Sequence, residues 1–126
     1  MSVPNAISRC WRWLQFASGP TSATSIDVKL GVKKDGTVTA GSATLRYSNG
    51  PYFGMWAELG AMTAFACYDL KNVETIGLEV LVNRPKVAAY RAPSAPEAAF
   101  AIESAVDEAA KAIGMDPVDF RIRNAA

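Results

Sequence analysis

Ile26, Val28, Leu30 and Val32 alternate with Asp27, Lys29, Gly31 and Lys33, and period-two alternation marks a strand with one buried face. Lys34-Asp35-Gly36 follows as a hairpin turn, with glycine supplying the positive φ such turns require. Thr37 to Tyr47 returns as the partner strand. Its inward phase runs through Val38 and Ala40 and then switches to Ala43, Leu45 and Tyr47, which predicts a bulge near Gly41. Ser48-Asn49-Gly50-Pro51 is expected to break that strand. Met55 to Tyr68 carries enough good helix formers to predict a helix despite Gly60. Val73 to Val82 predicts a further strand, closed by Asn83-Arg84-Pro85.

The last third changes period. Phe100, Ile102, Val106, Ala109 and Ile113 recur at helical spacing, Pro96 stands near the start, and Gly114 falls where a left-handed C-terminal residue belongs. Glu97 and Lys111 suit the two ends of the helix dipole. Asp116-Pro117 then caps a second short helix through Arg123. The fold class is α+β: a β-hairpin and a further strand packed with a long amphipathic helix and shorter helices. Residues 1–23 read differently. Trp11 and Trp13 share a face of a strand but lie about 200° apart on a helix, so this stretch is either a short helix or an arm, ended by Ser18-Gly19-Pro20.

Composition narrows the function. A chain of 126 residues amounts to one domain, and about two-thirds of its surface can be buried at that mass. A net charge of +1 gives no electrostatic case for nucleic acid. The sequence has no histidine, which excludes His-based general bases, Ser-His-Asp and Cys-His nucleophiles and most zinc catalysis. No apolar run is long enough to span a bilayer, and no positively charged leader precedes one. Cys10 and Cys67 are too few for a disulfide framework, so a reducing, cytoplasmic setting is expected.

Few motifs carry chemistry. Glu103 and Asp107 share a helix face at i,i+4. Such a pair can hold a metal or share a proton, but it reads more simply as a solvated face on which Lys111 completes an ion-pair ladder. Cys67 reads as a buried inert thiol. The glycines form neither a phosphate loop nor a dinucleotide fingerprint. The segment Ala88-Ala89-Tyr90-Arg91-Ala92-Pro93-Ser94-Ala95-Pro96 is different, because an arginine and an aromatic sit on a proline-punctuated loop feeding a helix N-terminus. Backbone N–H groups converging there, with the guanidinium, would make an anion site.

Several separated blocks carry a resemblance. Asn83-Arg84-Pro85-Lys86-Val87-Ala88-Ala89-Tyr90-Arg91-Ala92-Pro93, Ala98-Ala99-Phe100-Ala101-Ile102-Glu103, Gly114-Met115-Asp116-Pro117 and Arg121-Ile122-Arg123-Asn124 occur in order. Together they resemble the molybdenum-binding subunit of the xanthine dehydrogenase and aldehyde oxidase family. The likeness is read from about Thr24 to Ala126, which divides the chain into an amino-terminal segment, 1–23, and a single α+β domain, 24–126.

The resemblance implies a molybdenum hydroxylase, with molybdopterin as cofactor and iron–sulfur and flavin subunits as electron partners. It implies that the loop Ala89, Tyr90, Arg91, Ala92 and Pro93 lies against the molybdenum centre, with main-chain contact at Arg91. The sequence differs from the dehydrogenase branch, which has glycine and an aromatic at Ala92 and Pro93 and an arginine at Leu59, so purine hydroxylation is not implied. The family's glycine-rich segment and glutamate base have no match. A fragment inactive alone is expected, or else a self-standing binding or self-association protein built on the same fold. Apolar surface left on the hairpin and the alanine-rich helix predicts a homo-oligomer, with Trp11, Trp13 and Phe16 at the seam.

Overall fold

The computed structural model describes residues 19–89 and 91–126; the expectations placed on Cys10, Trp11, Trp13, Phe16 and Tyr90 lie outside the described residues. Among the described residues, three strands and three helices follow in the order β1 (Thr24–Val32), β2 (Val38–Gly50), α1 (Trp56–Thr63), β3 (Val73–Leu81), α2 (Ala95–Ile113) and α3 (Pro117–Asn124). The sheet order is β1-β2-β3, with β1 antiparallel and β3 parallel to the central strand. This is the expected α+β class.

The hairpin forms because its turn chemistry and its apolar phase agree. Gly36 takes φ +86°, its N–H donates to Lys33 O at 3.0 Å, and Asp35 Oδ1 accepts from Thr37 N at 2.9 Å. That bond, with the Arg123 and Lys33 charges, holds the Asp35 carboxyl below its ordinary range. The phase switch in β2 is real but sits earlier than expected. Gly31 pairs with Ala40 and Val32 with Val38, so the extra residue is Thr39, whose hydroxyl donates to Gly31 O at 3.0 Å. From Gly41 onward the odd-numbered residues of β2 face the core.

Two boundaries also differ. β2 runs on through Ser48, Asn49 and Gly50 because β3 pairs alongside up to that point, so ladder bonds override local turn preference. α1 stops at Thr63, and turns at Ala64–Cys67 then bring Tyr68 into a bridge with Ala125. Cys67 is exposed, where a buried thiol was expected, because the bridge makes Tyr68 the inward residue. In α2 the buried stripe is Ala98, Ile102, Val106 and Ala110; Phe100, two positions from Ala98, points away and is 78 % exposed. Gly114 caps α2 at φ +73°, and Asp116 caps α3 by accepting from Val118 N and Asp119 N.

The core lies between one face of the sheet and the helices. Leu45, Tyr47, Ala98, Ile102, Val106 and Phe120 are almost fully buried. The hairpin and the carboxyl-terminal helix are joined by one residue. Asn124 accepts from Val38 N at 2.9 Å and donates to Gly36 O at 2.9 Å and Phe120 O at 2.8 Å. Glu103 and Asp107 do not pair with Lys111; Arg121 of α3 reaches both, at 2.7 Å each. A third helix crossing α2 places a guanidinium closer than the expected i+4 lysine. Tyr68 adds its hydroxyl to Glu103 Oε1 at 2.7 Å, and burial, then that bond, pushes its phenol well up. The cluster ties the β-bridge, α2 and α3 together, and among the described residues no group of acids and cysteines is placed to hold a metal.

Candidate functional site

The loop from β3 to α2 is held at both ends and bare in the middle. After Leu81, Val82 N donates to Gly50 O at 3.0 Å and Ala88 N to Pro20 O at 3.0 Å. The backbone of Arg84 to Lys86 passes so close to Gly50 that a Cβ there would stand 2.7 Å from Pro85 O. Val87 is buried, whereas Ala89, Arg91 and Ala92 are exposed and Pro93 is half-buried. Four of the five loop positions singled out from sequence are thus described, and three of those four face solvent.

The conformation of this loop is strained. Ala92 at φ +53° and Ser94 at φ +68° are the only non-glycine residues with positive φ among the described residues. Left-handed backbone costs a residue bearing a Cβ roughly 1–2 kcal/mol and persists only where the surroundings fix it. Tyr47 is what fixes it. Its hydroxyl rises from β2 to donate to Ser94 O at 3.1 Å. Burial, and then the nearby Glu97 carboxylate, push that phenol up to about 12. Space for the phenol is made by Gly60 of α1, where a Cβ would lie 2.5 Å from Tyr47 Oη. Neither Tyr47 nor Gly60 was singled out from the sequence; the inward phase of β2 and the lone glycine inside a helix were the available signals.

The convergence of free amides expected at the start of α2 is not what forms. Ala95 N donates to Ala92 O and Ala98 N to Ser94 O, both at 3.1 Å, and Pro96 has no N–H. The loop's own carbonyls cap the helix, and Glu97 adds a carboxylate whose Oε2 is buried without a partner. Asn49, next to Gly50, is 2 % exposed, and neither end of its amide is paired.

Two larger clefts flank the sheet. One, of about 740 Å³, lies between β1 and α2 and is lined by Ile26, Val28, Phe100, Glu97 and Glu108. The other, of about 690 Å³, lies between α1 and β3. Neither is lined by arginine or lysine.

Comparison with known proteins places this arrangement. The profile of a molybdopterin cofactor-binding domain matches residues 14–125, so the likeness begins upstream of Thr24. An aldehyde oxidoreductase of Megalodesulfovibrio gigas is 36% identical over 88% of this chain and 13% of its own length. A putative xanthine dehydrogenase molybdenum-binding subunit of Escherichia coli is 35% identical over 98% of this chain and 17% of its own. Among solved structures, the aldehyde oxidoreductase from Desulfovibrio gigas superposes with a TM-score of 0.78 at 34% identity, over 84% of this chain and 12% of that one. Quinoline 2-oxidoreductase from Pseudomonas putida 86 shares the fold with the same TM-score at 22% identity. The chain thus spans only 12–17% of the length of the aldehyde oxidoreductase and xanthine dehydrogenase relatives.

Proposed function

We propose, from the premise that this chain belongs to the molybdopterin cofactor-binding domain family, that its β3–α2 loop forms one wall of a molybdenum-cofactor site completed by further polypeptide. The observation that carries the reading is the strained backbone at Ala92 and Ser94, held by Tyr47, inside the block through which the sequence most resembles that family. Strain of this kind is retained where geometry serves a site. In this reading Ala89, Tyr90, Arg91, Ala92 and Pro93 face the cofactor, mainly through backbone, with Arg91 adding a positive charge.

The described residues do not by themselves enclose such a group. A phosphorylated pterin needs many donors and a cationic cradle, yet the loop is open, the Ala95 and Ala98 amides at the helix start are committed, and the two larger clefts beside the sheet carry carboxylates and no cation. No chemical step is therefore assigned to this chain alone. Hydroxylation, with iron–sulfur and flavin subunits as electron acceptors, belongs to the completed assembly in this reading. The exposed free thiol of Cys67 fits a reducing, cytoplasmic setting. Among the described residues no helix is long and apolar enough to cross a membrane.

Molybdenum and pterin content per chain, measured on protein from a host that makes the cofactor, tests the reading. The isolated chain is expected to hold far less than one molybdenum per chain. Co-expression with the flanking segments of a relative's subunit should raise that content, and Arg91→Ala should lower it again without loss of the cooperative unfolding transition. Stoichiometric molybdenum on the chain alone would overturn the one-wall reading, and loading indifferent to residues 89–93 would overturn the assignment of the loop. A second reading, self-association of this chain, is favoured by one observation: apolar residues of β3 are exposed on the sheet face that β1 and β2 keep polar.

A further inference from the structure

β3 borders the sheet among the described residues, and it is apolar where the rest of the sheet is not. The register with β2 puts Ile76, Leu78 and Val80 on the face away from the helices, beside Thr44, Arg46 and Ser48. They remain 42–43% exposed, and Val73 and Leu81 at the two ends are 48% and 47% exposed. On the opposite face, the cleft between β3 and α1 is rimmed by Phe53, Met55 and Met62, exposed by 74%, 62% and 71%. Soluble proteins blunt a bare sheet edge with charge, proline or a covering element. β3 has no lysine and no proline, and its only charges are Glu74 and Glu79.

We propose that two copies of this chain join through β3, paired antiparallel about Gly77 into one six-stranded sheet. This rests on the self-association reading above and names its seam. The sequence Val73-Glu74-Thr75-Ile76-Gly77-Leu78-Glu79-Val80-Leu81 is self-complementary about its centre. Val73 meets the partner's Leu81 and Ile76 meets the partner's Leu78. Glu74 falls opposite the partner's Val80, and Glu79 opposite the partner's Thr75, so no acid faces an acid. Shifting the register by one residue would move every apolar side chain to the wrong face. At the axis Gly77 meets the partner's Gly77, where α1 presses so closely that a Cβ would stand 2.6 Å from Ala57 O.

The helices permit the pairing. α1 packs on both β2 and β3 and leaves an open cleft over β3, the space that the partner's α1 would share. Met55 and Met62, on the rim of the cleft toward β3, then lie near the seam.

The test is sedimentation equilibrium on the full chain across a concentration series, with Leu78→Lys in parallel. A mass of twice 13.4 kDa is expected, with the dissociation constant raised at least about tenfold by the lysine. Leu78 is on an exposed face, so the variant should keep its thermal transition. Register is read in a Cys10→Ser/Cys67→Ser background. Ile76→Cys with Leu78→Cys should form an inter-chain disulfide on oxidation, while Ile76→Cys with Val80→Cys should not. A dimer indifferent to Leu78→Lys, or without the 76–78 cross-link, would overturn the seam and leave self-association standing. A monomer at every concentration would overturn both and leave the edge to another polypeptide.

Discussion

Replacing Asn124 by alanine isolates one buried amide that spans the fold. Asn124 is 5 % exposed and makes three bonds of 2.8–2.9 Å, to Val38 N, Gly36 O and Phe120 O. Alanine removes all three. Val38 is 7% exposed, so its N–H is stranded away from water, at a cost of about 1–3 kcal/mol for an unsatisfied buried group. Gly36 is buried too, but an under-satisfied carbonyl is better tolerated than an orphaned N–H, and Phe120 O lies within α3, so each adds less. The lost side chain also leaves a small void beside Phe120, worth about 1 kcal/mol. The sum is about 2–4 kcal/mol, a large share of the roughly 5–15 kcal/mol that stabilises a domain.

Urea unfolding followed by circular dichroism measures this directly, and amide exchange at Val38 should accelerate beyond the global change. Asn124→Asp is the informative companion. It keeps an acceptor for Val38 N but turns a donor into a carboxylate facing two carbonyls, so it should cost at least as much as alanine near neutral pH. A loss below about 0.5 kcal/mol for Asn124→Ala, the range of ordinary surface changes, would refute the claim that this residue locks the hairpin to α3.

Other predictions follow the same logic. The Tyr47 phenol is raised from 10.0 to about 12 in the folded chain; because the neutral form is favoured on folding, the stability this represents, about 2–3 kcal/mol, is present below pH 10 and lost between pH 10 and about 12. Tyr47→Phe should remove that alkaline loss while costing about 1 kcal/mol at neutral pH, as pH-dependent melts would report. Gly60→Ala gains about 1 kcal/mol of helix propensity but drives a Cβ to 2.5 Å from Tyr47 Oη, for a net loss of about 1–2 kcal/mol. Combining it with Tyr47→Phe should recover part of that, and strict additivity of the two would argue against the contact. Arg121→Ala should destabilise by about 1 kcal/mol, since the guanidinium is 32% exposed and its two acid partners more so; high salt should shrink the difference. Cys67 should react with a thiol reagent in the native state, without prior unfolding, because it is free and exposed.

Local rules explain why much of this molecule is legible in its sequence. The β1–β2 hairpin rests on alternation and a glycine turn, both short-range. The caps at Gly114 and Asp116 and the stripe along α2 depend on neighbours within a turn or two. The block around Arg91 and the terminal Arg121-Ile122-Arg123-Asn124 carry the family resemblance in the sequence itself.

What tertiary structure alone decided is set by residues far apart in the chain. β2 outruns its turn formers because β3 supplies a parallel ladder. Lys111 loses Glu103 and Asp107 to Arg121 because α3 folds back across α2. Ala92 and Ser94 hold left-handed backbone because a tyrosine 47 positions before Ser94 reaches under Gly60 to bind it. Local pattern carries element type, since propensity and periodicity act over a few residues. It carries neither which side chain reaches a carbonyl across the core nor which strand edge stays bare, because both depend on packing that brings distant segments within a few ångströms.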